Sequence, residues 1–199
     1  EGYDNINASV VRSGDVMYDA ALYYAQHAKA PDVSLPQDYI LCTLHRAENT
    51  DNPQTLGTIF NALEETSRNI MPIVIPLHPR TKAKLQAIGF NFEQSPVKFI
   101  NPVGYFEMIH LIQHSRLIMT DSGGLQKEAY FFEKKCVTLR EETEWVELVE
   151  ANANKLVGAN YHAIIEGVKS MLAHPADFSA KLYGDGLTGD AIVEYLMKH

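Results

Sequence analysis

The feature of this sequence that most constrains its fold is a regular alternation of short apolar runs with longer, helix-like runs. The short runs are rich in β-branched residues and are typical of strands buried on both faces of a sheet. They cover residues 8–12, 39–44, 73–77, 97–100, 117–120, 136–139 and 155–157. The helix-like runs cover residues 16–28, 53–68, 81–87, 105–113, 125–132, 144–150, 161–172 and 188–198. Because this alternation builds βαβ units, it predicts an α/β fold: a parallel sheet with helices on both faces.

One stretch, residues 117–129, predicts a buried strand, a turn of small residues and a helix that begins at Ser122. Gly123 and Gly124 would let a ligand approach the backbone closely. The free N–H groups at a helix start favour an anion such as a diphosphate. Glu128 lies four residues after Gly124, on the same helix face, and its carboxylate can accept hydrogen bonds from two adjacent hydroxyls, as on a ribose. The stretch therefore predicts a nucleotide-binding element.

Two alternatives to this interpretation come from the same residues. The sequence Asp-Ser-Gly-Gly also surrounds the nucleophile of chymotrypsin-like proteases, but that fold is all β, whereas a helix-forming run follows Ser122 directly. The nucleophile-elbow pattern G-x-S-x-G is absent. An ordinary β-turn-α element with a serine N-cap remains open.

Polar clusters follow five of the predicted strands at their carboxyl ends, where parallel α/β sheets bind ligands. They cover residues 45–49, 78–81, 101–104, 121–124 and 140–144. They carry His45, Arg46, His78, Arg80 and Arg140, and such donors beside helix-start amides suit a phosphorylated ligand. A structural, hydrogen-bonded role for His45 and a plain surface charge at Arg140 remain open.

Composition and motifs exclude several classes of ligand and partner. The net charge of −8, with no basic stripe, argues against nucleic acid. No apolar run approaches the ~20 residues of a membrane-spanning helix, so no membrane partner is expected. Neither a P-loop nor the dinucleotide fingerprint G-x-G-x-x-G occurs, so we expect no nicotinamide cofactor. His110 and His114 share one helix face, but no Cys or carboxylate accompanies them at a motif spacing, so we expect no metal site.

The cysteines and the first residues bear on location and completeness. Cys42 and Cys136 both lie in strand-like apolar runs, which fits buried thiols in a reducing, cytoplasmic setting. The start of the chain shows neither the basic stretch nor the apolar run of a signal peptide. Because the chain begins with Glu1 and in mid-pattern, we expect a fragment whose N-terminal part is missing.

Taken together, the motifs form a series that resembles one enzyme family. In order they are residues 13–19 (SGDVMYD), 45–49 (HRAEN), 78–81 (HPRT), 102–105 (PVGY), 121–129 (DSGGLQKEA), 140–145 (REETEW) and 183–186 (YGDG). The series resembles the C-terminal half of the non-hydrolysing UDP-N-acetylglucosamine 2-epimerases and covers nearly the whole chain.

The resemblance implies a GT-B architecture of two Rossmann-like domains, with residues 1–199 forming the UDP-binding one. The helix over residues 188–198 would cross back onto the absent N-terminal domain. The family interconverts UDP-N-acetylglucosamine (UDP-GlcNAc) and UDP-N-acetylmannosamine (UDP-ManNAc) without metal or other cofactor. UDP is eliminated to leave 2-acetamidoglucal and is then re-added with C2 inverted. The implied partners are UDP, UDP-N-acetylhexosamine, the N-terminal domain and a second copy of the full-length chain, and the implied role is supply of precursors for cell-surface polysaccharide.

The resemblance also implies a role for individual residues in nucleotide binding. Ser122, Gly123 and Gly124 would hold the diphosphate, and Glu128 would bind the ribose hydroxyls. Two further residues would form the base pocket, namely Val103 through its backbone and Met108 through its apolar side chain.

The remaining implied roles concern charge. His45 would sit by the diphosphate and assist its departure as the catalytic residue of this half, since negative charge develops on the leaving UDP. Arg140 would add positive charge nearby. In bacterial allosteric members, residues matching Arg46 and His78 help to bind a second UDP-GlcNAc. The acid and base carboxylates of the family lie mostly in the N-terminal domain.

This sequence departs from the family pattern at two places. Trp145 stands where some relatives have a substrate-binding Arg, and Asp15 and Met17 replace a common Asn-Thr pair. Two alternative functions remain: a hydrolysing relative that releases UDP and N-acetylmannosamine, and a UDP-sugar-binding module without catalysis. We expect the 199-residue chain alone to bind UDP weakly and to turn over nothing.

Overall fold

A computed structural model describes residues 7–198, so residues 1–6 and 199 of the predicted domain lie outside the described part. The strands of this part are β1 (Ile40–Thr43), β2 (Ile73–Pro76), β3 (Lys98–Ile100), β4 (Leu117–Thr120), β5 (Cys136–Thr138) and β6 (Asn154–Leu156). Its helices are α1 (Val16–Ala25), α2 (Ala47–Thr50), α3 (Pro53–Asn69), α4 (Pro79–Ala87), α5 (Tyr105–His114), α6 (Gly123–Phe131), α7 (Val146–Glu150), α8 (Tyr161–Ala173) and α9 (Thr188–Lys198).

The strands form one sheet in the order β3-β2-β1-β4-β5-β6, and every pairing is parallel. The chain order reverses between β1 and β4, which is the point where ligands bind in such sheets. Thr43 at the end of β1 lies opposite Thr120 at the end of β4, and their hydroxyl oxygens are 2.7 Å apart. The predicted Rossmann-like α/β fold is therefore confirmed.

Helices cover both faces of the sheet, as predicted. Alternate residues of each strand point to opposite faces, so Ile40 and Cys42 belong to the apolar cluster of α3 and α8, whereas Leu41 belongs to that of α5 and α6. All four residues of β4 are buried, as expected of a central strand.

Local capping signals fix several helix starts. Asn52 caps α3 by accepting hydrogen bonds from the backbone N–H groups of Gln54 and Thr55, and Pro53 occupies the first helical position. Helix α4 begins at Pro79, two residues before the predicted start, because the side chain of His78 caps it.

The predicted strand over residues 8–12 is wrong. These residues form no strand, and Val10 and Val11 are 64% and 53% exposed. Instead, Arg12 Nη2 donates a hydrogen bond of 2.8 Å to the carbonyl oxygen of Leu182. The segment pairs with no strand of the sheet, and β-branched residues form a strand only where a neighbouring strand pairs with them. The short helix α2 is a second difference, since no predicted helix covers it.

The last helix begins in contact with the rest of the fold and ends in solvent. Thr188 is buried, and the backbone N–H of Gly189 donates a hydrogen bond of 2.7 Å to Asp19 of α1. Further along, Leu196 and Met197 are 70% and 83% exposed. That α9 crosses to another domain stays a prediction. Among residues 7–198, no helix combines the length and the apolar character needed to cross a bilayer.

Candidate functional site

A cleft of about 640 Å³ opens at the carboxyl edge of the sheet, where the strand order reverses between β1 and β4. We call it the carboxyl-edge cleft. The loops after β1, β2, β3 and β4 all contribute to its walls. Clefts of about 700 and 740 Å³ lie at the two outer edges of the sheet, but neither includes helix-start amides of α6 or the imidazoles that follow β1 and β2. The chemistry of the lining, not its volume, therefore distinguishes the carboxyl-edge cleft.

Most of the predicted site residues line this cleft together. They come from five separate stretches of the chain and are His45, His78, Val103, Met108, Ser122, Gly124 and Glu128. The structure does not place Arg46, Gly123 or Arg140 on the lining.

The turn of residues 122–124 starts α6. Ser122 is the N-cap: its Oγ accepts a hydrogen bond of 3.5 Å from the Leu125 N–H, and its own N–H donates to Thr120 Oγ1 at 2.9 Å. The N–H groups of the first helical turn lack intrahelical acceptors and carry the positive end of the helix dipole. A Cβ placed on Gly124 would meet no atom closer than 3.9 Å. Internal packing does not require glycine there, whereas close approach of a ligand would.

Asp121 organises the edge of the cleft, and the sequence analysis gave it no role of its own. Its side chain is fully buried, and Oδ2 accepts hydrogen bonds from the backbone N–H groups of His45 at 3.1 Å and Arg46 at 2.8 Å. The Nδ2 of Asn49 donates to the same oxygen at 3.3 Å. A carboxylate at the end of β4 therefore fixes the loop that follows β1.

The same carboxylate faces the ring of His45. His45 Nδ1 lies 3.4 Å from Asp121 Oδ1, while half of the His45 side chain is exposed. This contact orients the imidazole and leaves its Nε2 edge for another partner. His78 is also oriented, since its Nδ1 accepts a hydrogen bond of 3.2 Å from the Arg80 N–H, which requires the tautomer protonated on Nε2.

Glu128 lines the carboxyl-edge cleft from α6, and Tyr105, the first residue of α5, lies beside it. Burial raises the pKa of the Glu128 carboxyl above 4.5, and the hydrogen bond from the Tyr105 hydroxyl opposes that rise. Burial, with the adjacent carboxylate, raises the pKa of Tyr105 to about 12. Tyr105 was missed as a functional candidate, because only the fold reveals its contact with Glu128. Val103 and Met108 form the apolar wall beside this pair.

Arg140 is buried and engaged by a neighbouring carboxylate. Its two terminal nitrogens donate to the oxygens of Glu144 at 2.8 and 2.9 Å, and this pairing lowers the pKa of Glu144 to about 2. Arg46 Nη2 lies 3.9 Å from the same carboxylate. Within residues 7–198, the buried Nε of Arg140 has no hydrogen-bond partner. The positive charge predicted at Arg140 is thus largely balanced by Glu144.

Potential metal ligands do not cluster in the described part of the chain, where no group of three His, Cys, Asp or Glu side chains could hold an ion. The rings of His110 and His114 stack with centroids 3.9 Å apart, away from any carboxylate cluster. The carboxyl-edge cleft therefore offers a ligand amides, imidazoles, one acid and the guanidinium of Arg80, which also donates to Asp51 at 3.0 Å.

Comparison with known proteins decides the family. The family model described as UDP-N-acetylglucosamine 2-epimerase matches residues 4–197. This chain belongs to that family. The resemblance noted from the motifs is thereby confirmed.

Relatives and solved structures agree with this assignment. The chain is 50% identical over 199 residues to the UDP-2,3-diacetamido-2,3-dideoxy-D-glucuronate 2-epimerase of Pseudomonas aeruginosa, covering all of this chain and 55% of that protein. It is 39% identical to a UDP-N-acetylglucosamine 2-epimerase homolog of Methanococcus maripaludis, covering 97% of this chain and 56% of that protein.

Among solved structures, the Methanocaldococcus jannaschii UDP-GlcNAc 2-epimerase in complex with UDP-GlcNAc and UDP superimposes with a TM-score of 0.83 at 36% identity. The superposition covers 94% of this chain and 54% of that one. The chain spans about half the length of the curated relatives it matches. That coverage agrees with one half of a two-domain GT-B architecture.

Proposed function

We propose that this chain forms the UDP-binding half of an epimerase that inverts C2 of a UDP-linked N-acetylhexosamine, interconverting UDP-GlcNAc and UDP-ManNAc. The observation that supports this most is the carboxyl-edge cleft itself. The start of α6 at Ser122 and Gly124, the acid Glu128 and the apolar wall of Val103 and Met108 lie around one volume. These groups match, in order, a diphosphate, a ribose and a uracil.

The proposed reaction is an elimination followed by an addition. A base removes the proton from C2 while the C1–O bond breaks, and the bond electrons leave with UDP, so that 2-acetamidoglucal remains. UDP then re-forms the C1–O bond and C2 receives a proton on the opposite face. The sequence of steps is redox-neutral and needs no cofactor. We assign the C2 acid and base to the N-terminal domain.

His45 would act on the leaving group. Its Asp121 contact at 3.4 Å orients the ring, and its exposed edge faces the cleft that also includes Ser122 and Gly124. A proton donor at this position stabilises negative charge as the C1–O bond breaks. Gly123 would add its N–H to the diphosphate, and Arg140 would contribute through the positive potential that Glu144 leaves unbalanced. Arg46 and His78 would contact a second nucleotide sugar.

A second substrate is supported by a specific finding. The Pseudomonas aeruginosa relative, at 50% identity, is named for a UDP-2,3-diacetamido-2,3-dideoxy-D-glucuronate, whereas the Methanocaldococcus jannaschii UDP-N-acetylglucosamine 2-epimerase is 37% identical. The bonds that change at C1 and C2 are the same for both sugars. We therefore propose the diacetamido uronate as the alternative substrate, beside the hydrolysing reaction that would release UDP and N-acetylmannosamine.

We also propose the further domain, the oligomeric state and the cellular location of the enzyme. We expect an N-terminal domain to complete the active site, the full-length protein to form a homodimer, and α9 to pack on that domain. The two buried free thiols, Cys42 and Cys136, support a reducing, cytoplasmic location. The product would serve as a precursor for the synthesis of cell-surface polysaccharide.

Product analysis in deuterium oxide tests the proposed function. The protein with its N-terminal domain is incubated with UDP-GlcNAc, and separately with the diacetamido uronate, and products are followed by proton NMR. The proposal predicts the C2-inverted UDP-sugar with deuterium at C2. Free N-acetylmannosamine would identify the hydrolysing reaction instead. The 199-residue chain, assayed alongside, should bind UDP without turnover, because a cleft enzyme needs both walls to position its substrate and exclude water.

A further inference from the structure

The single tryptophan of the chain, Trp145, makes a contact that the proposed chemistry does not use. Its Nε1 donates a hydrogen bond of 2.9 Å to the carbonyl oxygen of Gly123, at the start of α6. The contact joins two elements 22 residues apart in sequence. The indole contacts the turn of residues 122–124 at Gly123. Gly123, unlike Gly124, does not line the carboxyl-edge cleft.

This hydrogen bond fixes the orientation of one peptide plane. The Gly123 carbonyl and the Gly124 N–H belong to the same planar, trans peptide, so they point in opposite directions. Gly124 lines the carboxyl-edge cleft and Gly123 does not. The hydrogen bond to the Gly123 carbonyl therefore helps to keep the Gly124 N–H directed towards the cleft, together with the helical conformation that begins at Gly123. The neighbouring carbonyl is held too, since Gln126 Nε2 donates to the Ser122 oxygen at 3.3 Å.

The loop before α7 is itself braced, so Trp145 is a rigid donor. Its backbone N–H donates to Thr143 Oγ1 at 3.1 Å, and Thr143 Oγ1 donates to Gln126 Oε1 at 2.7 Å. Lys127 Nζ lies 4.4 Å from the centroid of the Trp145 ring, a cation–π distance. Lys127 in turn pairs with Asp15 in a largely buried ion pair. The indole is thus held by a hydrogen bond on one edge and a cation on one face.

We propose that Trp145 is a positioning residue for diphosphate binding: its indole N–H presents the Gly124 amide to the diphosphate of the nucleotide. This inference rests on the proposed function for the identity of the ligand. It assigns Trp145 an effect on the diphosphate alone, transmitted through one backbone carbonyl. Contact between Trp145 and the hexose is not needed.

The test removes one N–H group and keeps the ring. Because Trp145 is the only tryptophan, growth of a tryptophan auxotroph on β-(3-benzothienyl)alanine replaces this residue alone with an isostere that lacks the donor. 5-Fluorotryptophan, which keeps the N–H, is the matched control, and Trp145→Phe is the genetic counterpart. UDP and uridine affinities are measured on each form of the full chain by NMR titration, together with the hydrogen-exchange rate of the Gly124 amide.

The proposal predicts that the isostere weakens UDP binding about fivefold, the size of one neutral hydrogen bond, and leaves uridine binding unchanged. The Gly124 amide should exchange faster, while the fluorinated control behaves as the natural protein. An equal loss for UDP and uridine, or no loss for either, would overturn it. If the natural chain binds neither ligand, the proposed function fails for this chain, and the Gly124 exchange rate still decides whether Trp145 orders the turn.

Discussion

The buried carboxylate of Asp121 accepts a hydrogen bond of 2.8 Å from the backbone N–H of Arg46. The contact spans 75 residues of sequence and joins the end of β4 to the loop after β1. It places His45 beside the turn of residues 122–124, so it links the stability of the fold to the geometry of the carboxyl-edge cleft.

Replacing Asp121 by Asn tests that link. The amide nitrogen would face backbone N–H donors, leaving them without an acceptor, so we expect the free energy of unfolding to fall by about 1–3 kcal/mol. Urea denaturation measures the change. The exposed Asp38, whose side chain pairs with Arg116 at the surface, is the matched control as Asp38→Asn and should have little effect. Equal losses in the two variants would contradict the organising role of Asp121.

Glu128 should oppose folding when it is ionised. Because burial raises its folded-state pKa above 4.5, its contribution to stability is fully present below pH 4.5 and is lost as the pH rises through the raised pKa. Glu128→Gln should therefore stabilise the unliganded chain at neutral pH, with a gain that vanishes below pH 4.5. Thermal unfolding of the variant and the natural chain, from below pH 4.5 to neutral pH, measures this gain in stability.

The exposed Glu93 provides the control for that experiment, as Glu93→Gln. Its stability difference from the natural chain should not follow the same pH dependence. A stability gain of Glu128→Gln over the natural chain that is no larger at neutral pH than below pH 4.5 would contradict the argument.

The contribution of Glu144 to stability should change with pH in the opposite direction to that of Glu128. Pairing with Arg140 lowers its pKa from 4.5 to about 2, so its stabilising contribution is present above pH 4.5 and is lost as the pH falls towards 2. Half of the side chain is exposed, so screening limits the effect to about 1 kcal/mol or less. Urea denaturation at pH about 6 and about 3 should show a smaller acid-induced loss for Glu144→Gln than for the natural chain. An equal loss would show that the pair contributes nothing.

The apolar side chains at the end of α9 should matter only in the presence of a further domain. Leu196 and Met197 are largely exposed here, so replacing both by Ser should change the free energy of unfolding of the 199-residue chain by less than about 0.5 kcal/mol. In the protein that includes the N-terminal domain, the same double variant should lower the melting temperature, because it would remove buried apolar contacts. Unchanged melting temperatures in both proteins would refute the proposed crossing.

The sequence predicted the sheet and its helices because the signals for them are local. Apolar β-branched runs marked every strand of the sheet, and the Asn52–Pro53 pair marked the start of α3. The same rule failed at residues 8–12, which pair with no strand of the sheet. Helix α2 was not predicted, because its N-cap residue, Arg46, makes no side-chain capping hydrogen bond.

The site was predictable where strand ends converge and unpredictable where single side chains bridge distant elements. The carboxyl-end rule accounts for five of the seven predicted residues that line the cleft, and the other two, Met108 and Glu128, lie on the helices that follow β3 and β4. The pairing of Arg140 with Glu144 competes with a ligand for the guanidinium, and residue type alone does not reveal it. The contacts of Asp121 with Arg46 and of Trp145 with Gly123 depend on tertiary packing, which no local pattern encodes.

The central claim is that the carboxyl-edge cleft binds UDP through the helix-start amides of Gly123 and Gly124 and the carboxylate of Glu128. Its most direct test is calorimetric titration of the chain with UDP, beside ADP and beside the Glu128→Gln variant. The account predicts binding of UDP, no binding of ADP, and affinity for UDP lowered about tenfold or more in the variant, since a charge-assisted hydrogen bond is lost. UDP binding that is unaffected by Glu128→Gln, or equal affinity for UDP and ADP, would contradict it.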